Sequence, residues 1–245
     1  ITQSETMPES IASKAFMKAL YGEHPYGLPS SGEVKSIKKI NKNDLQDFYK
    51  NNYLSNELSV VIVGDISRAE AEDLAYKISI GFPENKRAKV IPLVNYNKPQ
   101  DIKISHPSKQ AHLYYGAPII KRGDPDFLTL YLGNYILGGG GFVSRLTQEI
   151  REDRGLAYSV YSYFMPYIEA GPFQIGIQTK KDQVNEAKKI IQKTVSEFIK
   201  NGPSSNELKR AKDFMIGGFP LRLDSNKSIL EYVSMMAFYK YPIDY

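Results

Sequence analysis

Residues 137–160 read LGGGGFVSRLTQEIREDRGLAYSV. Four consecutive glycines lead into a charged run, a fifth glycine follows at position 155, and aromatic residues come after it. The order predicts a helix from Ser144 to Arg154 that stops at Gly155 and a strand from Ala157 to Tyr167 that folds back past it. Arg151 then sits in the last turn of the helix and Tyr158 near the start of the strand.

On the C-terminal side, Pro172 to Thr179 pairs with that strand. Asp182 to Lys200 is an amphipathic helix whose apolar stripe is Val184, Ala187, Ile191, Val195 and Phe198. A further helical stretch, Asn206 to Tyr239, breaks near Gly217-Gly218 and Pro220. On the N-terminal side, Asp126 to Leu137 reads as a helix, and Asp101 to His106 and Gln110 to Ala117 as strands. Residues 82–100 contain three prolines and no clear period, which marks a linker or crossing segment. Before it, Ile11 to Leu20 is a helix ending near Gly22, GEHPYGLPSSGE is loop, and Asn43 or Asn41 caps a helix from Asp44 to Asn52. Leu58 to Val63 reads as a buried strand. Ser67 with Glu70 has the spacing of a capping box.

The two ends of the chain echo each other. Ser10, Ile11, Met17, Ala19 and Tyr21 match Ser228, Ile229, Met235, Ala237 and Tyr239 at a constant offset of 218 (228 minus 10). Read as a repeat, this makes the chain the back half of one unit and the front half of the next, a piece of something longer. The expected fold class is α/β in its α+β form, with mixed sheets packed against helices and a partial chain of a larger duplicated fold. The blocks are 1–85, a linker 86–100, and 101–245.

Composition narrows the chemistry. The chain has 245 residues, 42% of them hydrophobic, and no cysteine, which removes disulfides, thiolate catalysis and cysteine-type zinc sites. The formal charge of +5 comes from lysines interleaved with acids, so nucleic acid is not an expected partner. No run is long enough for a membrane span, and the start, ITQSETMPES, lacks the pattern of a signal peptide. A soluble protein of a bacterial cytoplasm or periplasm is expected.

A phosphate loop needs a strand before its glycines and a Gly-Lys-Ser/Thr or GxGxxG register. Here a helix precedes Gly138 to Gly141, and Phe142, Val143, Ser144 and Arg145 follow. The plain alternative is a helix end running into a hinge. Arg151 and Tyr158 likewise have two readings. A permanent cation and a neutral phenol can hold a peptide carbonyl and its developing oxyanion, or an arginine can simply suit a helix C-terminus and a tyrosine a strand. His24, His106 and His112 show neither HExxH nor HxxEH spacing, so no metal ligand is assigned.

Residues HPYG at 24–27, NDLQDFYKNNYLSNELSVVIVGD at 43–65 and, above all, LGGGGFVSRLTQEIREDRGLAYSV resemble the zinc metallopeptidases of the pitrilysin, insulinase and mitochondrial processing peptidase group. The resemblance spans nearly the whole chain. It implies paired α/β domains facing a chamber, with HxxEH and its zinc in the first. This chain has no HxxEH, so the zinc is expected outside it, on a companion domain or on another subunit of a homo- or heterodimer. By the same resemblance Arg151 and Tyr158 bind the substrate carbonyl and oxyanion, and Gly138, Gly139, Gly140, Gly141 and Phe142 form a lip that binds the peptide substrate. The chain alone is expected to be inactive. A catalytically silent partner or structural subunit of the same fold is the rival reading.

Overall fold

The structure is a computed structural model and describes residues 1–84, 90–242 and 244. In chain order the helices are α1 (Pro8–Tyr21), α2 (Val34–Ile37), α3 (Lys42–Asn52), α4 (Arg68–Ser79), α5 (Phe127–Asn134), α6 (Arg145–Thr147), α7 (Val184–Asn201), α8 (Ser205–Gly218) and α9 (Asn226–Phe238); the strands are β1 (Gln110–Ile120), β2 (Ala157–Phe164) and β3 (Gly171–Lys180). The class is α+β, as expected.

By its contacts the chain divides into two compact units, neither continuous in sequence. The first holds residues 1–34 and 91–213, the second 35–90 and 214–245.

In the first unit the three strands form an antiparallel sheet in the order β1-β3-β2. Ala111 faces Thr179 across β1 and β3, and Val160 faces Ile177 across β2 and β3. Strand β3 is central, and its alternate residues Ile175 and Ile177 point into the core with Val160 of β2. Against them pack Leu137, Leu146, Ile150 and Leu156 from the glycine-rich stretch and Ala187 and Ile191 from α7. The stripe read for α7 is therefore the buried one, with Val195 and Phe198 packed at its margin.

Helix α1 ends at Gly22, whose φ of +56° suits glycine, and the Gly22 N–H donates to the Lys18 carbonyl. The loop after it is tied down by aromatic packing. The His24 ring sits 4.6 Å from Tyr26, and Tyr26 sits 4.7 Å from Tyr167. His24 Nδ1 accepts from the Tyr26 N–H while its Nε2 lies 2.8 Å from the Pro92 carbonyl, which fixes the tautomer with the proton on Nε2. His24 thus closes a turn and also anchors the crossing segment. Asn97 adds a second anchor, its amide donating to the Ala19 and Leu20 carbonyls at the end of α1. Residues 85–89, inside the expected linker, lie outside the described residues.

In the second unit, α3 is capped by Asn41 rather than Asn43: the Asn41 side chain accepts from the Asn43 and Asp44 N–H groups, and Asp44 accepts from the Asn41 N–H. The Ser67–Glu70 capping box is present at α4. The Ser67 hydroxyl and N–H both donate to the Glu70 carboxylate and hold it below its ordinary pKa. Helix α8 ends at Gly218, a short turn follows over Pro220–Leu223, and α9 begins at Asn226, so the predicted break is found. Shifting α1 by 218 places Pro8 on Asn226 (8 plus 218), the first residue of α9.

Two expected strands are corrected. Residues 58–63 and 101–106 belong to no strand among the described residues. Their β-branched content favours extended backbone, but a strand also needs a partner edge for its N–H and C=O groups, and neither segment has one here. Leu58 and Val60 are exposed accordingly. Among the described residues, no helix is long and apolar enough to cross a membrane.

Candidate functional site

The glycine run is built differently from a hinge. Helix α5 passes without a break into a π-helical turn at Tyr135–Gly139, a short 3-10 turn covers Gly141–Val143, and α6 continues into a second π-helical turn at Gln148–Glu152. Such turns are rare and are frequently found at functional sites. Sequence reading missed both, because hydrophobic spacing does not separate i+4 from i+5 hydrogen bonding over five residues.

Each glycine has its own reason. Gly138 is buried, and a side chain there would run into the Ser162 hydroxyl and come within 2.8 Å of Leu146. Gly139 and Gly140 would meet Asn134 and the Tyr135 carbonyl, each at 2.5 Å. These three let the helix lie close to β2 and to its own preceding turn. Gly141 faces open space but has a φ of +59°, so it is there for backbone conformation. Beneath the run, the buried Asn134 side chain donates to the Ser162 carbonyl and accepts from the Ser162 hydroxyl at 2.6 Å. The element before the glycines is helical, so the strand-glycine-helix context of a phosphate loop is not met.

Ser144, fully buried, locks the 3-10 turn. Its N–H and its hydroxyl both donate to the Gly141 carbonyl, and the hydroxyl lies 3.0 Å from Thr147 Oγ1. This fixes the backbone on which Phe142 stands. The Phe142 ring is two-thirds exposed, and the Arg151 guanidinium carbon lies 4.5 Å from its centroid. Gly155, with a φ of +60°, then reverses the chain: its N–H donates to the Arg151 carbonyl, and the Leu156 N–H donates to the Ile150 carbonyl.

Three arginines lie on this stretch and their situations differ. Arg145 makes a two-pronged contact with Glu207 at 2.7 and 2.8 Å, donates to the Gly202 carbonyl, and packs over Phe198. The Arg145 hydrogen bonds are the main reason the Glu207 carboxyl is held down to about 2, and Ser204, which caps α8 through Glu207, adds to it. Arg154 is bound to the Glu149 carbonyl and carboxylate at 2.6 and 2.7 Å. Arg151 has only a 3.4 Å contact from Nε to Glu152 and the Phe142 ring, so its terminal nitrogens have no protein acceptor among the described residues.

Tyr158 stands on β2 at an irregularity. The pairing of β2 with β3 shifts between Ala157 and Val160, leaving Tyr158 and Ser159 out of register. Its side chain is 91% exposed and its hydroxyl makes no hydrogen bond among the described residues. Of the residues singled out in the sequence, the structure therefore brings Phe142 and Arg151 together, buries Gly138, and leaves Tyr158 projecting into solvent. The Arg145–Glu207 clamp was missed. Its partners are 62 positions apart, and the only local signal was the S-x-x-E spacing of Ser204 and Glu207.

Among the described residues no group of three or more histidines, aspartates or glutamates is placed to hold a metal. His24 is committed to Pro92 and Tyr26, and His106 Nδ1 accepts from the Ser108 N–H.

The chain is 29% identical over 228 residues to a Bacillus subtilis protein named uncharacterized zinc protease YmxG, with 93% of this chain and 55% of that protein covered. It is 30% identical over 232 residues to the non-peptidase homolog YmxG of Helicobacter pylori, covering 94% of this chain and 53% of that one. A crystal structure of a peptidase M16 inactive domain from Pseudomonas fluorescens superimposes with a TM-score of 0.94 at 38% identity, over 100% of this chain and 58% of that one. The chain thus spans about half the length of the curated relatives it matches. The family described as peptidase M16 inactive domain matches residues 39–215, well over half of the chain, and the chain belongs to that family, a domain type related to zinc proteases.

Proposed function

We propose that this chain supplies the peptide-binding and charge-stabilising face of a zinc metalloendopeptidase, with the zinc carried by a companion domain or subunit. The observation that carries the reading is the contrast among the arginines. Arg145 and Arg154 are consumed by carboxylates, whereas Arg151 keeps its terminal donors uncommitted at the surface. Tyr158 keeps its hydroxyl uncommitted as well, on a strand irregularity that lifts it out of the ladder. Both donors suit a peptide carbonyl whose oxygen gains negative charge during hydrolysis, and neither contributes to the core. Gly139 to Gly141 form the adjoining surface against which the peptide lies. The matched helices at the two ends support a duplicated ancestry, in which residues 1–85 close one domain, 86–100 link, and 101–245 open the next.

The test is cleavage of a quenched fluorescent peptide by this chain together with the HxxEH-bearing companion. Arg151→Ala and Tyr158→Phe are each expected to lower kcat by about 10²- to 10³-fold, the usual effect of losing one oxyanion donor. Normal cleavage by both variants overturns the reading. A second reading, a silent structural subunit, is favoured by the name of the Helicobacter pylori relative, a non-peptidase homolog. It predicts that the wild-type chain changes neither kcat nor KM of its companion.

A further inference from the structure

Phe142 stands exposed beside Arg151. We propose that it is a positioning residue that holds the Arg151 guanidinium in its working orientation. An arginine side chain has several rotatable bonds, and an exposed one samples many rotamers. Arg151 is backed by a rigid helical turn, since Ile150 beside it is fully buried, but among the described residues no acceptor binds its terminal nitrogens. The Phe142 ring meets the guanidinium at 4.5 Å. A cation over an aromatic face is attracted by the ring quadrupole without using up an N–H donor. A carboxylate in the same place would consume the donors, as Glu149 does for Arg154. The ring therefore restrains the group while leaving it available.

The support for the ring is itself built in. The fully buried Ser144 holds the Gly141 carbonyl through both N–H and hydroxyl, and Gly141 supplies the positive φ that starts the turn. A line of constraint thus runs from the core through Ser144 and the 3-10 turn to Phe142, and from Phe142 to Arg151. It also accounts for a large apolar side chain standing exposed at the end of a glycine run.

This inference rests on the peptide-binding reading of Arg151, and the experiment separates the two. The side-chain Nε–Hε resonance of Arg151 is followed by NMR in the 245-residue chain, wild type against Phe142→Leu and Phe142→Tyr, with Arg151→Gln to assign it. Binding of a fluorescein-labelled, unstructured twelve-residue peptide is measured on the same proteins. The expected result is a ring-shifted signal in wild type and Phe142→Tyr that moves to the free-arginine position in Phe142→Leu. Peptide affinity should fall about 2- to 5-fold in Phe142→Leu, the range for an exposed cation–π contact. It should not fall further when Phe142→Leu is added to Arg151→Gln. An unmoved signal overturns the positioning role, as does an equal loss of affinity in the Arg151→Gln background, which would make Phe142 a direct peptide contact. If Arg151→Gln alone leaves affinity unchanged while the signal still responds to Phe142→Leu, the positioning stands and the peptide-binding reading fails.

Discussion

Arg145 and Glu207, 62 positions apart, meet side to side with Nε and one terminal nitrogen on the two carboxylate oxygens at 2.7 and 2.8 Å. Glu207 also accepts from the Ser204 N–H and hydroxyl, so one carboxylate both caps α8 and secures the start of α6. Arg145→Ala leaves that carboxylate partly buried without its cation, and a loss of about 2 kcal/mol is expected in a urea melt at neutral pH.

The same pair makes stability depend on pH. The folded-state carboxyl of Glu207 is depressed to about 2 from an ordinary value near 4.5. Its contribution is therefore complete above the ordinary value and is lost as pH falls towards about 2. With solvent screening at a partly exposed site, the contribution at neutral pH is about 1–2 kcal/mol. The stability gap between wild type and Glu207→Gln, measured by urea melts from pH 7 to pH 2.5, should narrow below about pH 4.5. A gap that widens in acid would contradict the assignment.

Asn134 and Ser162 are a buried, mutually satisfied pair. Ser162→Ala leaves the Asn134 carbonyl oxygen without its donor, and a loss of about 1–3 kcal/mol is expected by thermal or chemical denaturation. Adding Asn134→Leu to Ser162→Ala, which removes both polar side chains, is not a rescue, because the larger apolar side chain must fit beside Gly139.

Gly138→Ala and Gly141→Ala should fail for different reasons and to different extents. At Gly138 the new methyl group meets Ser162 and Leu146 in the core, an overpacking cost of about 1–3 kcal/mol. At Gly141 there is space, and the penalty is the positive φ alone, about 1 kcal/mol. Denaturation midpoints of the two variants provide the comparison.

Arg151→Gln and Tyr158→Phe should leave stability within about 0.5 kcal/mol of wild type, since neither residue is part of the core. Weakened peptide binding in chains with unchanged melting would place both residues in function. A large loss of stability in either variant would place them in the fold.

The helices, their caps and the apolar stripe of α7 were legible because their causes act within a turn or two of chain. Proline and glycine at Gly22, Gly155 and Gly217-Gly218 to Pro220 impose their breaks wherever they stand, and a serine three positions before a glutamate closes a capping box with no outside help. The family, too, was legible in the spacing of Gly138 to Tyr158. Residues 58–63 and 101–106 were misread because β-branching gives an extended backbone, while becoming a strand depends on a neighbour that local sequence does not name. The same holds at the site. The family resemblance singled out Arg151 among charged residues, but only the packed chain distinguishes it from Arg145 and Arg154, whose carboxylate partners are brought up by a distant helix and a π-helical turn. Glycine spacing showed that the chain must bend near 138–141; which glycine makes room for β2 and which supplies a positive φ depended on tertiary contacts, because close approach is a property of two segments and not of one.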